Sequence, residues 1–90
     1  MPKAELLKSL EDLRAEIEIL AVDKTEIKDH MNALITDLES GIENLEGLKP
    51  KHRAALLERL RDGLKLSEVE HPTITAILNR IMVVLSNMGV

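Results

Sequence analysis

The stretch LLKSLEDLRAEIEIL (residues 6–20) decides the fold class of this 90-residue chain, because its apolar residues recur every four or three positions. The series consists of Leu6, Leu10, Leu13, Ile17 and Leu20. In an α-helix such intervals place these side chains along one side, and the charged residues between them face elsewhere. The same intervals are typical of coiled coils and bundles, whose helices pack at shallow angles. We therefore predict a fold built from packed α-helices.

Three later segments also have helical spacing, and none alternates polar and apolar residues as a strand does. Pro50 and Pro72 suit the first turn of a helix, because proline has no amide hydrogen to lose there. Gly47 and Gly89 suit the left-handed position that often follows the last turn of a helix. The predicted helices cover residues 3–21, 24–46, 50–66 and 72–88.

The predicted fold class is all-α: a small bundle of about four helices with coiled-coil-like Leu and Ile seams. Its length suits a single helical domain over residues 1–90. The predicted core contains Leu10, Leu13, Ile17, Leu34, Leu38, Leu60, Leu64, Ile77, Ile81 and Leu85.

The connection between the first two helices has two interpretations. Asp23 and Glu26 have the spacing of a capping box, and Val22 could pack on Ile27 as a hydrophobic staple. However, Ile27 and the later apolar residues stay in heptad phase with the first helix, so one long helix also fits. We favour a turn, because three signals for a helix start coincide within residues 22–27.

The C-terminal segment has apolar side chains around most of its predicted helix, more than one neighbouring surface can cover. A small domain also buries a limited share of its surface, which favours support from a second chain. We therefore predict a homodimer with two-fold symmetry and the last helix at its centre or interface. The predicted interface residues are Ile74, Ile77, Leu78, Ile81, Met82, Val83, Leu85 and Met88.

No residue pattern indicates a catalytic, cofactor-binding or metal-binding site. The chain has no Cys, Trp, Tyr or Phe, which excludes disulfides and thiolate zinc sites and argues against base stacking. His30, His52 and His71 lie on three different predicted segments, without metal-ligand spacing. We interpret His30 as a surface partner of Glu26, four residues earlier. We expect no enzyme activity, no cofactor and no metal.

Charge is distributed unevenly along the chain. Residues 1–48 contain five basic and twelve acidic residues, whereas residues 49–90 contain seven and four. Five basic residues in and just before the third helix form a candidate anion-binding cluster: Lys49, Lys51, Arg53, Arg59 and Arg61. Such a cluster suits a phosphate backbone. Because the whole chain is acidic and has no aromatic residue, we favour ion pairs with the acidic half and disfavour a nucleic-acid partner.

Neither terminus has the pattern of an export signal or a membrane anchor. The first 20 residues are too charged for a secretory signal. The segment after Pro72 is shorter than the ~20 apolar residues of a membrane span and contains Arg80. We expect a cytoplasmic protein without membrane association.

The segment EVEHPTITAILNRIMVVLSNMGV (residues 68–90) resembles the domain of unknown function 4404 family, whose members are short bacterial proteins. Its His-Pro-Thr motif opens the last helix, and its Asn-Met-Gly motif closes it. Ile74 stands where the family usually has Leu, and Val90 where it usually has Ile. The resemblance is specific over residues 69–90 and only compositional over residues 1–66. It implies a small, all-helical protein of the bacterial cytoplasm, with no established activity.

These observations favour a non-enzymatic, self-associating interaction or scaffold protein, with a homodimer and an unidentified protein partner. The alternative is a module that binds nucleic acid or another anionic surface through the basic third helix. The two classes differ in salt response, because binding to phosphates weakens steeply as salt rises.

Overall fold

Four α-helices account for most of residues 2–87, the range that the computed structural model describes, apart from the side chains of Pro2 and Glu46. They are α1 (Pro2–Glu18), α2 (Thr25–Glu43), α3 (Pro50–Ser67) and α4 (Pro72–Asn87), with a short 3₁₀ turn at Leu45–Gly47. No strand occurs in this range. The predicted all-α bundle is therefore confirmed, and Pro50 and Pro72 are the first residues of their helices, as expected.

The helices pack as a ring in which each contacts two neighbours. Helix α1 lies against α2 and α4, and α3 lies against the same two helices on the opposite side. One aliphatic core fills the centre. Nine of the ten predicted core residues are buried, and Leu64 packs partly buried against them.

The chain breaks between α1 and α2, as the favoured interpretation predicted. After Glu18 the backbone forms turns, and the Lys24 amide donates to the Ala21 carbonyl at 3.0 Å. The predicted capping box and staple are wrong, however. The residue before α2 is Lys24, the helix has no side-chain cap, and Val22 is exposed. Because the turn extends through Asp23, the helix begins only at Thr25. Lys24, the residue before it, forms an ion pair with Glu70.

The predicted left-handed conformation of Gly47 is also wrong. Helix α2 ends at Glu43, earlier than expected, and the chain tightens into the 3₁₀ turn that contains Gly47. No residue in the described range has a positive φ. The turn closes the corner through a bond from the Gly47 amide to the Asn44 carbonyl, 3.0 Å long. Gly89 lies outside the described residues.

Helix α3 approaches both of its neighbours closely at Gly63. A Cβ atom at this position would lie 3.1 Å from Met31 Cε of α2 and 3.3 Å from Leu78 Cδ1 of α4. Gly63 is buried, and the buried side of α3 continues through Leu60 and Ser67. Because Gly63 has no side chain, α3 can contact α2 and α4 at the same level of the bundle.

Substitution of Gly63 by Val should destabilise the bundle, because two methyl groups would enter space that Met31 and Leu78 already occupy. Overpacking of this kind costs about 1–3 kcal/mol, and we expect a lower midpoint of thermal unfolding. Gly47→Val is the matched control, because nothing lies within 4 Å of a Cβ atom at Gly47. Equal melting temperatures for the two variants would contradict the close approach.

The junction of α3 and α4 is held by two hydroxyl groups. Ser67 is fully buried, and its Oγ lies 2.9 Å from Thr75 Oγ1, one turn into α4. Thr75 Oγ1 also lies 3.1 Å from the His71 carbonyl, to which it can donate. The two helices are thus joined by a short polar network next to the apolar core.

Replacing Thr75 by Val should leave the buried Ser67 hydroxyl with only the Leu64 carbonyl, 3.4 Å away. A buried hydroxyl without a good partner costs about 1–3 kcal/mol, whereas removal of both partners is nearly neutral. We therefore expect Ser67→Ala to restore much of the stability that Thr75→Val removes. Chemical denaturation of the two single variants and the double variant measures this coupling; additive losses would contradict it.

Candidate functional site

Helix α4 lies between α1 and α3, and this position explains most of its apolar character. Five of its eight predicted interface residues are buried within the monomer: Ile74, Ile77, Leu78, Ile81 and Leu85. A second chain has no access to them while the bundle is folded. Met82 is half-buried against the core, and Met88 lies outside the described residues. Of the eight predicted interface residues, Val83 is therefore the one that is strongly exposed in the described part of α4, with 57% of its surface accessible.

The outward side of α4 carries few charges. We call it the outer α4 face and define it by the exposed residues Ala76, Asn79, Val83 and Ser86. Arg80 lies beside this face and is the one residue of α4 with a formal charge. Its Nη1 atom is 3.6 Å from Asp12 Oδ2 of α1. The outer α4 face is thus a strip of uncharged side chains along the helix.

The five candidate anion-binding residues do not form one row. Arg59 and Arg61 are two positions apart, which places them about 200° apart around a helix. Arg59 faces α2, where its Nη1 atom lies 2.5 Å from Asp37 Oδ2. Lys49 and Lys51 are exposed at the start of α3, and Arg53 is half-buried. The contact of Arg59 with α2 agrees with the favoured prediction of ion pairs to the acidic half.

A surface depression lies at the corner where α2, the 3₁₀ turn and α3 meet. Its volume is about 340 Å³, and its polar lining residues are Asp37, Ser40, Asn44, His52 and Arg59. Arg59 is the only lining residue with a formal positive charge, and it is already paired with Asp37. The corner therefore presents no free cation to an anionic ligand.

The histidines belong to no candidate metal-binding group in the described part of the chain. Within residues 2–87, no group of three His, Asp or Glu side chains is placed to hold a metal ion. His30 is half-buried, and its Nε2 atom is shielded without a hydrogen-bond partner, so the expected surface pair with Glu26 is not formed. Periodicity alone did not indicate that this side chain is half-buried.

The His-Pro-Thr motif builds the start of α4. The His71 carbonyl accepts the Thr75 amide at 3.0 Å and lies within reach of the Thr75 hydroxyl. Pro72 is the first helical residue, and Thr73 is exposed. The threonine that contacts the preceding helix is thus Thr75. Of the Asn-Met-Gly motif, only Asn87 lies within the described residues, as the last residue of α4.

Sequence reasoning missed a group of exposed apolar residues at one end of the bundle. We call this group, formed by Ile19, Val22, Leu66 and Val69, the loop-end surface. Three of its members are strongly exposed: Ile19 by 76%, Val22 by 87% and Val69 by 85%. They lie in the two connections α1–α2 and α3–α4, where no helical seam exists to indicate which side is buried. The sequence did contain one signal for this surface, because large apolar residues such as Val22 and Val69 lie between the predicted helices.

Comparison with known proteins identifies the family but no characterised relative. No curated protein matches the chain, and no solved structure does. No helix within residues 2–87 combines the length and apolarity needed to cross a membrane. The model of one family, described as Domain of unknown function (DUF4404), matches residues 6–90, nearly the whole chain, and the protein therefore belongs to that family.

Proposed function

We propose that this protein is a non-enzymatic interaction protein that forms a homodimer through the outer α4 face. The proposal rests mainly on the charge distribution among the helices. Helix α4 has one residue with a formal charge, whereas α1 has eight, α2 has six and α3 has seven. Because the buried centres of protein interfaces are depleted of charged residues, α4 presents the helix side that is easiest to desolvate.

The shape of the outer α4 face suits a second helix. Ala76 and Ser86 are small, and the distance between packed helices falls with the size of the side chains at their contact. Val83 lies between them and would become buried, where a full side chain of this type contributes about 1.5–3 kcal/mol. Asn79 can bond to its counterpart across a two-fold axis, and a polar residue in such a seam fixes register.

This interface is small, because one face of a 16-residue helix is only about 24 Å long. We therefore expect a dimer that dissociates on dilution. The protein's role would then depend on which surfaces the dimer displays to other proteins. Localisation in the bacterial cytoplasm and the absence of catalysis are parts of the same proposal.

Val83→Asp should abolish dimerisation, because it would place two carboxylates at the centre of the interface. Sedimentation velocity over a concentration series should show the wild-type mass rise from 10.1 kDa towards twice that value, while the variant stays monomeric. Circular dichroism should show the same helix content, because Val83 lies outside the core. Val69→Asp, exposed at the loop end, is the matched control and should dimerise normally. A wild-type monomer at every concentration would refute the proposal.

The anionic-surface alternative has a separate test. A duplex binder should bind labelled DNA or RNA at low salt and lose affinity as salt rises. We expect no such binding, because Arg59 is paired and the remaining basic residues are spread around α3. Salt-sensitive binding that Lys49→Glu and Lys51→Glu remove would instead favour the alternative.

A further inference from the structure

An ion pair links the two connections that carry the loop-end surface. Lys24 Nζ, just before α2, lies 3.1 Å from Glu70 Oε2, just before α4. Their hydrogen bond, and then their charge attraction, raises the pKa of Lys24 above its ordinary value of 10.5. The contact shows that the two connections lie side by side at this end of the bundle.

Two shallow depressions lie at this end of the bundle, and each includes one apolar residue of the loop-end surface. The first, of about 360 Å³, has Ile19 and Ile74 in its wall, and the second, of about 340 Å³, has Leu66. Both are also lined by Lys24 and Glu70. A chain laid across this end of the bundle would meet apolar side chains on both sides of that ion pair.

Acidic residues outnumber basic residues in the segments that form the loop-end surface. The two segments that form it, residues 18–26 and 65–71, contain five acidic and two basic residues: Glu18, Asp23, Glu26, Glu68 and Glu70 against Lys24 and Lys65. One of the two bases, Lys24, is already paired with Glu70. These charged residues, which we call the rim, thus have a net charge of −3 next to the exposed apolar side chains.

We propose that the loop-end surface binds a cationic segment of another protein, with apolar side chains spaced to form one face of a helix. Its apolar centre and acidic rim match such a segment in both polarity and charge. A second copy of this chain fits poorly, because a two-fold contact would bring the two acidic rims together. Anionic lipids and nucleic acids meet the same repulsion. This binding is independent of the outer α4 face.

The probe is a labelled peptide of about 18 residues, five helical turns, made of Leu and Lys with Leu at positions i, i+3, i+4 and i+7. One control peptide has the same composition in scrambled order, and another replaces every Lys by Glu. Fluorescence anisotropy with the 90-residue chain should show binding of the ordered Leu/Lys peptide alone. Added salt should weaken this binding.

Two variants locate the site. Val22→Ser with Val69→Ser should weaken binding about tenfold or more, roughly 1.4 kcal/mol, without changing the charge of the rim. Asp23→Lys with Glu68→Lys should shift the preference towards the Leu/Glu peptide. Val83→Ser is the control and should bind like the wild type. All of these side chains are exposed, so circular dichroism should show unchanged folding.

Three results would overturn the inference. The first is equal binding of the ordered and scrambled Leu/Lys peptides. The second is unchanged affinity in the Val22 and Val69 double variant. The third is a lower oligomeric mass of that variant, since it would mean that a second copy occupies the surface. Because Val83→Asp tests dimerisation separately, failure of one proposal would not be mistaken for failure of the other.

Discussion

A core without aromatic rings constrains how closely the helices of this bundle must approach. Its buried hydrophobic residues are all Leu, Ile or Met, whereas an aromatic side chain would bury about 150–250 Å² on its own. Smaller side chains fill the centre only when the helices lie close together. Gly63 meets this requirement, because it brings α3 against Met31 and Leu78 at once. Gly41 does the same between α2 and Leu56 of α3.

The heptad spacing predicted the helices and the core because both depend on apolar periodicity. It predicted Leu60 of α3 but missed two small residues, Gly63 and Ser67, that belong to the same buried series. A hydrophobic pattern cannot distinguish a buried glycine or serine from an exposed one. Periodicity therefore placed the helix correctly but assigned to the core Leu64, which is only partly buried.

Helix ends and surfaces were less predictable because contacts distant in sequence determine them. Asp23 and Glu26 had the local pattern of a cap, yet the helix begins after Lys24, which pairs with a residue 46 positions away. The candidate interface on α4 was too broad for a related reason. Its sequence shows how much of the helix is apolar, but not that α1 and α3 cover two of its sides. Among the large apolar residues in the described part of α4, Val83 is the exposed one.

The two proposed surfaces lie on different parts of the molecule. Val83 is eleven residues beyond Pro72, about 16 Å along α4 from the loop end. A homodimer formed through the outer α4 face would therefore leave both loop-end surfaces free. If each binds a cationic segment weakly, a partner with two such segments would gain affinity from simultaneous binding, provided that its linker spans both sites. Dimerisation would then regulate the affinity for such a partner. Dilution or a change at Val83 would separate the two loop-end surfaces without altering either one.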